Sequence, residues 1–486
     1  MKQKDILNYP LFPYALIFLT IAITFSHFLN FFFIHDDFNL LIKTKYRWND
    51  LISIVTIYNN SFTPVINILL KLIYSFFSYQ VEAYYLFMLS LHFLNSCLVY
   101  KFALYLTRNK ILALVSAIFF AITFSHWEAV YWLAGGLEHM VPTCFVLACN
   151  ICWFQYLSGQ NMKNNYILSV LFFVLALLSK ESSMGLIFLL LLQKFFLFTD
   201  KERNDKFNFK EWIEPYIVFI VILPVYLFLF RLAVWDSQNF SLLKDPLCAV
   251  KSGINYLYML FLPDATIQYT APHIMRLSES LYFFMLKFQK FSVPILSIIF
   301  IAGFIKGNNL VRFLLTFIVL TIGPVIFIEG RAYRYLYMPS VGFSILVGLF
   351  WCFWWKRFKN SFGKTILLSL LVVTFCGNWF AHQMAQKVRV ASASHRKVTL
   401  EKFLNATKSV PHQTNIALIN IPTHRPGGYH DSILLEESFS FFSGRKNIFR
   451  MELGKPVCIV CSGGDMLKGS FKLDVGQLIN TDDPFM

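Results

Sequence analysis

The chain has 486 residues, of which 57% are hydrophobic and only 14% charged, where soluble globular domains run at roughly 45–50% apolar and about 25% charged. That balance excludes a soluble multidomain enzyme, a disordered chain and a disulfide-rich secreted scaffold, and leaves a polytopic membrane protein. The formal net charge of +16 does not read as nucleic-acid binding, because many of the Lys and Arg residues sit in short loops between apolar runs.

The first apolar run, residues 11–34, exceeds the roughly 20 residues needed to cross a bilayer. It is too long for the core of a cleaved signal and lacks a small-residue cleavage site, so it predicts a retained first helix. Lys2 and Lys4 ahead of it place the N-terminus in the cytoplasm. Further spans are predicted at 82–106, 111–125, 139–157, 166–180, 183–199, 215–234, 291–305, 310–328, 338–355 and 365–382, about eleven in all. With that orientation the cytoplasmic loops hold Arg108 and Lys110, Lys163, the basic stretch 194–210, Lys306 and Arg312, and Lys356 to Lys364, whereas the outer loop 125–138 has no Lys or Arg. Independent loops therefore agree on one topology, which puts the C-terminus outside. The bias toward Lys, Asn, Ile and Phe points to an AT-rich genome and a bacterial plasma membrane.

Two longer connections, 35–81 and 235–290, fall on the outer face. The first contains LLIKTKYRWNDLISIV, spaced as a helix lying on the membrane surface. Residues 1–382 thus read as a transmembrane domain. Residues 383–486 read as a small extracytoplasmic α/β module, with strands in TNIALINIP and KPVCIVCSGG. Cys458 and Cys461 in the latter read as two buried thiols rather than a zinc ribbon. Cys97, Cys144, Cys149, Cys152, Cys352 and Cys376 lie in apolar runs, where cysteine acts as a small hydrophobe.

Four polar clusters fall at predicted span ends on the outer face. HDDF brings Asp36 and Asp37 directly after the first span, where adjacent carboxylates are expensive unless used or solvated. HWEAVYWLAGGLEH offers His126, Glu128, Glu138 and His139, with Gly135 and Gly136 permitting close backbone approach. SKES sets Lys180 and Glu181 between two spans with almost no loop, so they pair with each other or line a cavity. EGRAYRYLYMPS supplies Arg331 and Arg334 with Tyr335 and Tyr337; an arginine fork suits phosphate, while a snorkelling aromatic–basic belt is the plainer reading. His412, His424, His430 and Asp431 in the tail read as a polar surface loop.

Carboxylates and cations on one face suit a lipid phosphate bearing an activated sugar. The phosphate leaves with its charge neutralised by Arg or Lys, and a carboxylate takes the proton of an acceptor hydroxyl. In order, HDDF, SHWEAVYW, LALLSKES and YRYLYMPSVGF resemble the motifs of the GT-C superfamily of membrane glycosyltransferases, in the branch of transmembrane O-mannosyltransferase-like proteins that carry TPR repeats. The resemblance covers residues 10–382 and departs in the tail, where those proteins continue into helical repeats.

The resemblance implies a base at Asp36 or Asp37, a second acid at Glu128, and Lys180, Arg331 and Arg334 facing the donor phosphate; the polar clusters themselves add His126, Glu138, Glu181, Tyr335 and Tyr337 to the candidate substrate site. No cofactor is required by it; a divalent metal at Asp36, Asp37 and Glu128 stays open. The expected partners are a polyprenyl-phosphate-linked sugar, a protein or glycan acceptor and membrane lipids, with no nucleic acid. Transport of a lipid-linked glycan, and a non-catalytic assembly role, are the alternatives.

Overall fold

Lipid offers no partner to a backbone amide, so an apolar run that crosses it must satisfy its own hydrogen bonds as a helix. The computed structural model describes residues 9–34, 37–46, 62–198, 213–233, 246–261, 279–328, 332–406, 408, 415–419, 448–451, 458–462 and 471–474. Its α-helices are α1 Phe12–Thr24, α2 Asp37–Tyr46, α3 Pro64–Phe77, α4 Val81–Thr107, α5 Lys110–Ile122, α6 Trp127–Tyr131, α7 Leu133–Leu157, α8 Met162–Leu177, α9 Leu186–Phe198, α10 Ile217–Ala233, α11 Pro246–Phe261, α12 Glu279–Lys306, α13 Asn309–Ile322, α14 Pro339–Arg357 and α15 Ser361–Ala406.

The protein is an integral, helical, polytopic membrane protein. Among the described residues, five helices are long and apolar enough to cross a membrane, or six if the pair 110–122 and 124–131, bent by 47°, is one span. Several of the predicted spans come out shorter than a bilayer. The 11–34 run ends as α-helix at Thr24 and continues through a turn and a 3-10 segment, Phe28–Asn30. Within residues 35–81 the structure describes α2, which covers the start of the expected surface helix, and the apolar α3; residues 47–61 lie outside the described set. Within 235–290, residues 246–261 form α11, and the helix predicted from 291 begins at Glu279.

Local signals at helix ends act as capping chemistry predicts. Asn109 starts α5 by accepting hydrogen bonds from the Ile111 and Leu112 amides, and Asn308 starts α13 by accepting from Val311. Arg108 closes α4 in the left-handed region at φ 53°. The bundle core is built from α4 packed on α5 and α7, α7 on α8, α5 on α14, and α13 on α14 and α9. Its largest fully buried side chains are aromatic, including Trp153, Tyr84, Tyr131 and Tyr337. Cys149 and Cys152, a second Cys-x-x-Cys, lie within α7 as free buried thiols, and Cys149 donates to the Ser169 carbonyl.

The last helix, α15, runs 46 residues, so the boundary expected at residue 383 falls inside it. Beyond it four short strands, β1 Asn415–Ile419, β2 Ile448–Met451, β3 Cys458–Ser462 and β4 Phe471–Asp474, form one sheet in the order β2-β1-β3-β4. β1 and β2 are parallel; β1–β3 and β3–β4 are antiparallel, with Ile419 opposite Cys458 and Cys461 opposite Phe471. His412, His424, His430 and Asp431 lie outside the described residues.

Three interruptions of the helical pattern position the site. The chain leaves α5 through the 3-10 turn Phe124–His126, and the extended Trp132 separates α6 from α7. Glu181–Gly185 is a 3-10 turn between α8 and α9, and Tyr333–Leu336 is another ahead of α14. The Tyr333–Leu336 turn packs on the Phe124–His126 turn, on α6 and on α7, so segments far apart in sequence meet at one end of the bundle.

Candidate active site

Asp37 is the most constrained acid. It begins α2 and is fully buried. Its Oδ2 accepts the Ile34 amide at 2.9 Å, and its Oδ1 accepts the Ala134 amide at 2.8 Å. Ala134 lies in the first turn of α7, where backbone N–H groups have no partner inside the helix and the helix dipole favours an anion. Asp37 therefore caps α7 from a distant segment. Both carboxylate oxygens are engaged, so Asp37 positions the chain that carries its neighbours. Asp36 lies outside the described residues.

Gly136 makes this entry into α7 dense. A Cβ there would overlap the Ala129 carbonyl oxygen and the Met88 methyl, and one at Gly135 would run into the Trp132 ring. Close backbone approach is thus a requirement of the GG pair, and it lets α6 fold back on the start of α7.

Two ion-pair groups flank that turn. Glu128 Oε1 accepts from Arg334 Nη1 at 2.5 Å, and its Oε2 accepts the Arg334 backbone amide at 3.2 Å. The Arg334 guanidinium also lies over the Trp132 ring at 4.8 Å and the Tyr335 ring at 5.0 Å, a cation–π sandwich that fixes its plane. Lys180 binds Glu138 directly and approaches Glu181 Oε1 at 3.5 Å. The Lys180 and Glu138 side chains are 12% and 26% exposed, and those of Arg334 and Glu128 are 24% and 16% exposed. Both groups are thus largely buried yet keep some exposed surface.

Burial works against the Lys180 ammonium, but Glu138 and Glu181 outweigh it and hold its pKa above the ordinary lysine value. Burial likewise opposes the Arg334 charge, and Glu128 outweighs it. Both cations stay charged throughout the physiological range. An ammonium has three donors and a guanidinium five, so each has N–H groups left after these ion pairs to meet an incoming anion.

The remaining expected residues divide. Tyr335 stays at the site, edge-on to His139 at 5.1 Å. Tyr337 turns into the bundle, where it is fully buried and donates to His92 Nδ1 at 2.8 Å while accepting from Asn95 at 3.2 Å. His126 also faces inward, hydrogen-bonded through Nδ1 to Ser340 Oγ at 2.9 Å. Tyr337 and His126 therefore brace the turns that carry Arg334 and Glu128 rather than face the site. Arg331 lies outside the described residues.

Sequence reasoning passed over His92, Asn95 and His382, whose Nδ1 meets Tyr131 at 2.7 Å. Their signal was available: polar side chains inside apolar runs face the interior and pair there.

Of the three acids considered for a metal, the two described ones already accept a hydrogen bond at each oxygen. Asp37 spends both oxygens on amides and Glu128 spends both on Arg334. Among the described residues no group of three or more His, Cys, Asp or Glu is arranged to hold an ion. Among the described residues a cavity of about 260 Å³ lies at the opposite end of the bundle, lined by Asn109, Ile111, Trp351, Cys352, Trp355 and Lys356. It contains no carboxylate and offers no base.

Fold and site together define a helical membrane protein whose acids and cations converge where its helices break. No family model matches the sequence, and no curated protein matches it. Solved structures do. ArnT from Cupriavidus metallidurans bound to undecaprenyl phosphate superposes with a TM-score of 0.53 at 9% identity, covering 90% of this chain and 85% of that one. The Archaeoglobus fulgidus oligosaccharyltransferase, tethered to an acceptor peptide containing an NVT sequon, superposes with a TM-score of 0.51 at 9% identity, over 92% of this chain and 64% of that one. The chain therefore shares the helical membrane fold of these two structures.

Proposed function

We propose that this protein transfers a sugar from a polyprenyl-phosphate donor to an acceptor hydroxyl at the membrane surface, with inversion at the anomeric carbon. The observation that carries the reading is the meeting of Asp37, the Glu128–Arg334 pair and the Glu138–Lys180–Glu181 group around one turn of a GT-C fold. The ArnT relative is bound to undecaprenyl phosphate, a lipid phosphate of the class proposed here.

In this reading Asp37 is held by its two bonds, and its chain neighbour Asp36 is the base. Asp36 takes the proton of the acceptor hydroxyl as its oxygen attacks the anomeric carbon. The bond from that carbon to the phosphate oxygen breaks, and the lipid phosphate leaves carrying the electron pair. The unspent donors of Arg334 and Lys180, joined by Arg331, receive the growing charge. Such preorganised donors contribute about 10²–10³ in rate each, because they are held in place before the charge develops. Trp132 and Tyr335 keep the guanidinium from following the leaving phosphate. Glu128 and Glu138 hold the cations in register. The extracytoplasmic side of the membrane and a C-terminal module that follows α15 complete the proposal.

The test is transfer by purified full-length protein in lipid nanodiscs, supplied with undecaprenyl-phosphate sugars and hydroxyl acceptors. Asp36→Asn is expected to lower the rate by at least about 100-fold, the usual scale of general-base catalysis. Wild-type transfer by a correctly folded Asp36→Asn protein would sink the assignment.

A further inference from the structure

Close to Lys180, three polar atoms that none of the site chemistry above uses lack any partner. Ser183 Oγ, Tyr226 Oη and Glu181 Oε2 are buried and make no hydrogen bond among the described residues. Ser183 is 1% exposed and Tyr226 3%. Native interiors rarely leave such atoms unsatisfied, because each loses its water without a replacement. Three in one neighbourhood point to an occupant.

Their placement is specific. Glu181 and Ser183 share the 3-10 turn between α8 and α9, and the other Glu181 oxygen faces Lys180. Tyr226 comes from the middle of α10, which packs on α8, the helix that leads into this turn. Its ring packs beside Phe62 and Phe230, each at 6.1 Å between centroids. The Val65 amide bonds the Leu178 carbonyl, which pins the start of α3 beside the same turn. A carboxylate oxygen can only accept, and two hydroxyls can donate or accept. That set, walled by aromatic rings, is the chemistry that recognises several hydroxyls on one small ring.

We infer that Glu181, Ser183 and Tyr226 form a hydroxyl-reading subsite for the sugar ring of the lipid-linked donor, beside the cations that meet its phosphate. The inference rests on the proposed donor and adds to it: Ser183 and Tyr226 discriminate the sugar, whereas Lys180 and Arg334 bind what all donors share. Glu181 accepts a sugar hydroxyl through Oε2 while Oε1 keeps its contact with Lys180. A donor lacking the matching hydroxyl leaves these atoms unpaired, which is how a polar site rejects a near-isostere.

The experiment measures binding by the full-length protein in nanodiscs. The probes are undecaprenyl phosphate and the same lipid phosphate carrying glucose, mannose or N-acetylglucosamine. Wild type is expected to bind at least one glycosylated lipid more tightly than the bare phosphate. Tyr226→Phe and Ser183→Ala are each expected to weaken that ligand by about tenfold, the scale of one lost hydrogen bond, and to leave the bare phosphate unchanged. Both changes keep shape, and melting curves verify folding. Equal binding of bare and glycosylated lipid by wild type overturns the subsite and leaves the donor reading standing. Variants that bind the glycosylated lipid as wild type does, or that weaken both ligands alike, also overturn it. Failure of wild type to bind any of the four lipids overturns the subsite and the donor reading together.

Discussion

Glu128 and Arg334 stand 206 residues apart and meet through two hydrogen bonds. Removing one member of a fully buried ion pair costs about 3–5 kcal/mol, because the survivor is left charged and dry. Their partial exposure lets water screen the survivor, which lowers the expected cost of Glu128→Gln to about 1–2 kcal/mol. Adding Arg334→Met should return part of that stability without returning transfer, and a double-mutant cycle in melting temperature together with the transfer assay checks both halves. Asp37→Asn keeps one acceptor and turns an NH2 group toward an amide donor, so it should cost about 1–3 kcal/mol. Asp36→Asn should leave the melting temperature unchanged and remove transfer. Opposite outcomes for the neighbours would reverse their roles.

The pH dependence has a definite sign. A cation whose folded pKa is raised contributes stability that is complete below its unfolded pKa and lost as pH rises through the folded one. For Lys180 that window opens only above about pH 10.4, since Glu138 and Glu181 hold its pKa above the ordinary value. Melting temperature is therefore expected to show no Lys180-dependent change between pH 7 and 9, which a comparison with Lys180→Met over that range would reveal. The candidate residues themselves were legible in the sequence, because a charge beside an apolar run stands out. Their pairing was not: Lys180 has Glu181 as its chain neighbour, yet its direct partner is Glu138 on another helix. Ser183 and Tyr226 escaped notice because a hydroxyl amid apolar residues carries no charge to mark it.

Among the elements, the α6–α7 junction decides the site. The bend of 47° and the extended Trp132 let one apolar stretch present Glu128 and Glu138 to different partners. Gly136→Ala would press a methyl against the Ala129 carbonyl and Met88. Overpacking of that kind costs about 1–3 kcal/mol, and the displaced turn should lose transfer by a larger factor than it loses stability. Melting curves and rates measured on the same preparation test this; a silent Gly136→Ala would mean that the junction relaxes freely. The hydrophobic periodicity located α4 and α14 well, since uninterrupted apolar runs have one solution in lipid. It missed the helix of α3 and the end of α1 at Thr24. Composition reports that a stretch prefers lipid or core, and only the packing partner decides where a helix stops.

At the scale of the whole molecule, the buried clusters among the described side chains are drawn from the helical bundle, up to Phe403. A chain ending after Ala406 is expected to insert and to remain monodisperse in detergent, as size-exclusion chromatography would report; aggregation would show that the sheet completes the bundle. Transfer by that truncated chain then separates catalysis from acceptor delivery. The sequence by itself determined the class of molecule, because 57% hydrophobic residues in long runs can be buried only in a membrane. It also determined which charged residues demand a partner, because an ion at a span end is costly alone. The tertiary structure decided which acid caps a helix, which acids hold cations and which buried hydroxyls are left without a partner among the described residues. Those outcomes depend on contacts between segments up to 206 residues apart, and no local pattern in a chain encodes a distance that only folding closes.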